Sequence, residues 1–188
     1  MDFAHQTESS SERRQTARVD AVLRFNYQVI SESKSKLDPY HHNFMLPRYF
    51  QLLSEFQQID EVLGWELDRI KAENPDFGHI LGLLNQKLDL INSSSYESIQ
   101  AYLPRPQQVN VSETGLSFFT DSHLRTGSYI HLTLSDPERQ FHIAATAHIV
   151  YCLEQPNGTY RTGAHFISIH QKDRVALSDA VSSNLINE

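Results

Sequence analysis

The sequence predicts a small antiparallel β-barrel, interrupted by a helical insertion and closed by a C-terminal helix. Three observations predict it. Apolar residues alternate with period two near both ends of the chain, and between those regions they recur every three or four residues. Turn residues then punctuate the second half at regular intervals, the pattern of short strands in a barrel.

Taken in order, residues 1–11 are polar and read as a flexible tail. From Val19 the side chains Val19, Ala21, Leu23, Phe25, Tyr27 and Val29 alternate with polar ones, and Val22 is the single lapse. That is a half-buried strand. Ser31 to Lys36 is a polar break, and Asp38-Pro39 marks a turn. Tyr49, Leu53, Phe56, Leu63, Leu67 and Ile70 then follow helical spacing, broken by Asp60. Asn74-Pro75 ends that helix and starts another, with Asn74 as cap and Pro75 in the first turn. Phe77, Leu81, Leu84, Leu88 and Ile91 line the second helix. Ser94 with Glu97 reads as the capping box of a third, short helix that stops before Pro104. Residues 37–103 are therefore a helical insertion, and 12–36 with 104–188 form a discontinuous barrel domain.

Period two returns after Arg105. Val109 and Val111 precede a polar turn, with Leu116, Phe118 and Phe119 after it. Gly127 introduces Ile130, Leu132 and Leu134, and Asp136-Pro137 turns the chain. Phe141, Ile143, Ala145, Ala147, Ile149 and Tyr151 alternate up to the hairpin turn Pro156-Asn157-Gly158; Tyr160, Thr162, Ala164 and Phe166 open the last strand. A closing helix carries Val175, Ala176, Val181 and Leu185 on one side.

Composition narrows the function classes. A formal charge of -7 on 188 residues opposes a nonspecific nucleic-acid binder, and no DNA or RNA partner is expected. Cys152 is alone, so neither a disulfide framework nor a cysteine zinc site is expected. No apolar run has the length of a transmembrane helix, and the tail lacks a signal-peptide core, so the sequence reads as a cytoplasmic chain without membrane contact. His131, His142 and His148 fall in strands without ligand spacing; they read as half-exposed barrel residues, and no metal or cofactor is expected. Ser112 has no nucleophile-elbow glycines around it, so no catalytic residue is assigned and no enzyme activity is expected.

Two short motifs remain. Arg13-Arg14-Gln15-Thr16-Ala17-Arg18 offers guanidiniums just before the first strand. Asn110-Val111-Ser112-Glu113-Thr114-Gly115 offers short polar side chains on a tight turn. Brought together, they make a pocket for an anionic ligand bearing a purine.

The two motifs in this order, each beside a strand, resemble those of the PilZ domain family of cyclic di-GMP receptors. Gly127 to Leu134 resembles the family's third barrel strand, Ala147 to Tyr151 the next, and Tyr160 to Phe166 the one after. The resemblance covers about 105 residues and implies a six-stranded antiparallel barrel in a bacterial signalling protein. It implies that Arg14 and Arg18 grip phosphate and guanine, that Arg13 favours a stacked ligand dimer, and that Asn110 and Ser112 bond the base. Gly115 would take a positive φ or permit close backbone approach. The guanidinium fork suits both targets, since it donates to O6 and N7 of guanine and to phosphate oxygens. The large departure is the helical segment between the motifs.

The expected mechanism is ordering of the arginine arm over the nucleotide, which signals to a partner. Self-association as a homo-oligomer is expected through a coiled-coil seam of Leu53, Phe56, Leu63, Leu67 and Ile70. The alternative is a PilZ-like adaptor that oligomerises through its helices and binds a protein partner without nucleotide.

Overall fold

The computed structural model describes residues 18–99, 105–136 and 141–186. Six strands, β1 (Val19–Ile30), β2 (Gln107–Ser112), β3 (Gly115–Thr120), β4 (Tyr129–Asp136), β5 (Phe141–Glu154) and β6 (Tyr160–Ile169), close an antiparallel barrel in the order β1-β2-β3-β6-β5-β4. Closure depends on the length of β1. Val19 to Leu23 pair with β2, and Arg24 to Ile30 pair with β4. Gly127 to Leu134 thus belongs to the fourth strand rather than the third, because the turn at Glu113-Thr114 divides its flanks into two strands.

The inward parity fills the barrel. Leu23, Phe25, Val109, Leu116, Phe118 and Ile130 are buried, and the Phe25 and Phe118 rings lie 4.6 Å apart. The lapse at Val22 leaves that side chain exposed, as does the far end of the strand at Val29. Helix α4 (Gln171–Ile186) closes one end with Leu177 and Val181 in the core. Val175 faces solvent instead, since the i, i+4 row of Asp173, Leu177 and Val181 is the one turned inward.

Between β1 and β2 run a one-turn helix α1 (Glu32–Ser35), in the stretch read as a polar break, and two long helices, α2 (Arg48–Glu73) and α3 (Pro75–Ile99). Asn74 alone joins the long pair. It ends α2, and its Oδ1 accepts a hydrogen bond from the Phe77 amide at 3.1 Å, the expected cap. The expected third helix is absent: α3 runs unbroken through Ser94 to Ile99, and Ser93 Oγ bonds back to the Asp89 carbonyl at 2.8 Å within the helix. Its end at Pro104 and the turn residue Pro137 lie outside the described residues, as do residues 1–17. In the α2 stripe, Leu67 is buried, Leu53, Leu63 and Ile70 are half-buried, and Phe56 is exposed.

The strap leading into α2 covers the outer face of β4 and β5. Thr146 Oγ1 donates to the Ser35 carbonyl at 2.6 Å. The His131 ring stacks on Phe44, and its Nε2 donates to the Pro39 carbonyl at 2.9 Å, which leaves Nδ1 to accept from Gln28 Nε2. Tyr40 donates its hydroxyl proton to Asp173 Oδ2 at 2.7 Å, tying the strap to α4. Fully buried Phe50 sets its ring edge-on to His142. His131 and His142 are consequently buried rather than half-exposed, while His148 remains half-exposed. Burial pushes His142 down to about 4 and also lowers His131, so both are neutral. The same burial raises Asp173 and Tyr40.

Candidate ligand-binding face

Arg18, the last residue of the first motif, comes beside the second motif through the β1–β2 ladder. Val19 pairs with Val111 and Asp20 with Asn110, so exposed Arg18 stands at the Ser112 end of β2. Arg13 and Arg14 lie outside the described residues. Asn110 shares the outward parity of its strand and donates through Nδ2 to Asp20 Oδ1 at 2.8 Å. The structure thus sets a cation, a carboxylate and an amide along one stretch of the barrel surface.

Ser112 has a different situation. Its side chain is buried, and Oγ donates to the Gly115 carbonyl at 3.1 Å, bracing its own turn. The turn is held from outside as well. The Thr114 carbonyl accepts from the Phe166 amide at 3.0 Å, the Glu113 carbonyl from Arg174 at 3.1 Å, and Glu113 Oε1 from Ser178 Oγ at 2.6 Å. β6 and α4 therefore hold the loop in place from outside.

Of the two reasons considered for glycine at 115, the structure selects close approach. Left-handed φ occurs at Gly127 and Gly158 among the described glycines. At Gly115 a Cβ would overlap the Ala164 carbonyl oxygen and lie 3.1 Å from His165 Cα. The motif ends in glycine because β3 must run against β6 at that point.

Sequence reasoning missed Tyr151. Strict alternation places it inside the barrel with Ile149. A bulge intervenes: Ile149 pairs with Ala164 and Tyr151 with Gly163, so Val150 is the extra residue. The slip turns Tyr151 outward and Cys152 inward, where its sulfur accepts from the Leu124 amide and from Thr162 Oγ1. The Tyr151 ring lies over Gly163, whose missing side chain would collide with it. Gly163 pairs with Ser117, which pairs with Asn110, so an aromatic ring sits on the same outer face as the motif amide. The one sequence signal was a glycine inside a strand, which marks close approach of another group.

Among the described residues, no group of three or more histidine, cysteine or carboxylate side chains is placed to hold a metal ion. No described helix is long and apolar enough to cross a membrane.

Residues 93–183 match the family model of the PilZ domain. The chain carries a PilZ domain. The match takes in Asn110 to Gly115 and all strands from β2 to β6, and it begins after the arginine motif and β1. PilZ domains are in general cyclic di-GMP receptors, binding or adaptor modules rather than catalysts. No curated protein matches the chain. Among the solved structures that resemble it are these two. One is a tetrameric PilZ-domain protein of Xanthomonas campestris that self-assembles through a helical bundle; identity is 15%, coverage is 92% of this chain and 90% of that one, and the TM-score is 0.59. At that identity the likeness concerns the fold alone, a six-stranded PilZ barrel with long helices. The other is the Bacillus subtilis inhibitor of motility, MotI or DgrA, with 14% identity, 94% of this chain covered and a TM-score of 0.48. This chain spans about half of that protein, 53% of its length.

Proposed function

We propose that the protein is a non-enzymatic cyclic di-GMP receptor of the bacterial cytoplasm. The observation that carries the reading is the position of Arg18 beside the Asn110–Gly115 turn on adjacent strands, despite the insertion between them in sequence. Arg14 and Arg18 donate to phosphate and to the O6/N7 edge of guanine, and Arg13 supplies a further cation for a stacked ligand pair. Asp20 deserves a role the motifs do not name. Guanine presents the adjacent donors N1–H and its 2-amino group on the remaining edge, and the Asp20 carboxylate beside Asn110 accepts both; adenine has an acceptor at N1 and no 2-amino group, so it cannot supply that pair. The Tyr151 ring offers a stacking face. The arm then orders across the nucleotide and changes the surface offered to a partner.

The helical hairpin makes the protein a homo-oligomer, with Leu53, Phe56, Leu63, Leu67 and Ile70 on the α2 side. Support comes from the exposed apolar residues of α2 and α3, and from the helical-bundle assembly of the Xanthomonas protein. An adaptor that oligomerises and binds a protein partner without nucleotide is the second reading. It is favoured by one observation, that Ser112 and Asn110 already have intramolecular partners. Calorimetric titration separates the two. A saturable cyclic di-GMP isotherm that Arg18→Ala weakens at least tenfold supports the receptor, and an absence of heat with undiminished oligomerisation supports the adaptor.

A further inference from the structure

The strap that leads into α2 does not seal the outer face of β1 and β4. Between them lies a cleft of about 200 Å³, walled by Asn26, Gln28, Met45, Pro47, His131 and Thr133. It stands apart from the candidate nucleotide face, which lies on the Val19–Leu23 half of β1 and on β2, β3 and β6. The ladder sets its polar side chains in pairs. Asn26 lies opposite Thr133 and Gln28 opposite His131, all on the outward parity, since Phe25, Ile130, Leu132 and Leu134 fill the barrel.

Thr133 is the residue that points to a ligand. It is 2% exposed, and its Oγ1 has no hydrogen-bond partner among the described residues. A buried hydroxyl left without a partner is costly, and this one lines a cleft with room for a partner. Gln28 brings a fixed group to the same place. Its Nε2 donates to His131 Nδ1, and His131 is itself locked by the Phe44 ring and the Pro39 carbonyl. That leaves Gln28 Oε1 as an acceptor of set orientation. Asn26 adds an exposed carboxamide, which holds a donor and an acceptor together.

Size and charge narrow the occupant. An apolar cavity of about 150 Å³ accepts benzene, so this cleft suits one flat ring system and is too small for a whole dinucleotide. None of its side chains is charged at neutral pH, because burial lowers His131 and the others are neutral. A phosphate, carboxylate or ammonium group would therefore find no counter-charge there. The Gln28 acceptor calls for an N–H donor. A carboxamide such as that of Asn26 matches the amino group and adjacent ring nitrogen of adenine, while Met45 and Pro47 give the ring an apolar wall.

We propose that the cleft between the strap and the β1–β4 ladder is a further binding site, taking the uncharged aminopurine base of an adenosine-class ligand against Asn26, Gln28 and Thr133. The test is amide-resolved NMR of the full chain, titrated with adenosine and with purine riboside, which lacks only the amino group. Adenosine should move the Asn26, Gln28, Met45 and Thr133 signals saturably. Purine riboside should bind roughly three- to tenfold more weakly, the size of one hydrogen bond. Thr133→Val keeps the shape and removes the orphaned hydroxyl, so it should fold at least as stably while weakening adenosine by a similar factor. Excess cyclic di-GMP should leave the adenosine shifts in place whatever its own affinity, which keeps this site separable from the receptor reading. Shifts centred on the Asn110–Gly115 turn, displacement by cyclic di-GMP, equal binding of the two nucleosides, or no shifts at all would overturn the proposal. Should Thr133→Val fold poorly, Asn26→Ala at the exposed rim decides, and undiminished adenosine binding by that variant would overturn it too.

Discussion

Gly115 and Ala164 run so close together that any side chain at Gly115 would overlap the Ala164 carbonyl oxygen. That contact joins the motif loop to β6, and the loop has no room to relax because Thr114 also bonds Phe166. Gly115→Ala should therefore destabilise the barrel by about 1–3 kcal/mol through overpacking. Gly127→Ala is the comparison. Nothing crowds that site, yet its φ of 86° is left-handed, so the cost should be about 1–2 kcal/mol from backbone conformation alone. Urea denaturation of both variants checks the pair, and only Gly115→Ala should also disturb ligand binding.

Tyr40→Phe removes the hydroxyl that serves buried Asp173. With the donor gone, the carboxylate keeps its burial and loses one of its hydrogen bonds, leaving that of the Ala144 amide, at a cost of about 1–3 kcal/mol. Because Tyr40 belongs to the strap and Asp173 to α4, proteolysis between β1 and α2 should accelerate in the variant. Unchanged stability and unchanged cleavage would show that the bond does not hold the strap.

The buried histidines predict acid sensitivity. His142 is lowered from 6.5 to about 4 in the folded protein, so between these values the unfolded chain binds the extra proton. Stability is therefore full above pH 6.5 and falls as pH drops, with about 3 kcal/mol lost by pH 4 from this residue. His131 adds to the loss in the same direction, while the Asp173 carboxyl, raised by burial, opposes it as pH falls through its folded value. His142→Asn should flatten the slope between pH 6.5 and 4. Chemical denaturation across that range reads it directly.

The candidate site predicts a separable pair of effects. Arg18→Ala should weaken cyclic di-GMP at least tenfold, the size of one charge-assisted bond. Asp20→Ala should chiefly lower the preference for cyclic di-GMP over cyclic di-AMP, because only guanine sets an N1–H beside a 2-amino group for that carboxylate to accept together. Competition titrations with both dinucleotides check this, and equal losses for the two would remove Asp20 from base recognition.

Much of the fold could be read from periodicity. The change from period two to three–four and back marks the insertion, and Asn74-Pro75 marks the helix junction, because those patterns reflect local burial and local capping. The third helix failed since Ser94 and Glu97 have capping-box spacing yet sit where α3 simply continues. Non-local packing stayed hidden. No pattern in the sequence announces that the strap bearing Pro39, Tyr40 and Phe44 bonds and buries the outward histidines. Nor can alternation foresee a bulge at Val150, which sends Tyr151 to the outer face. At the candidate site, spacing singled out Asn110, Gly115 and Arg18, whose part in ligand binding is the proposal made above. The Asp20 partner and the internal bond of Ser112 came from the register of paired strands.

Titration of the full chain with cyclic di-GMP by isothermal calorimetry tests the central claim most directly. The account expects a saturable exothermic isotherm that Arg18→Ala weakens at least tenfold and that Asn110→Ala weakens less. A flat trace from folded, stable protein would contradict it.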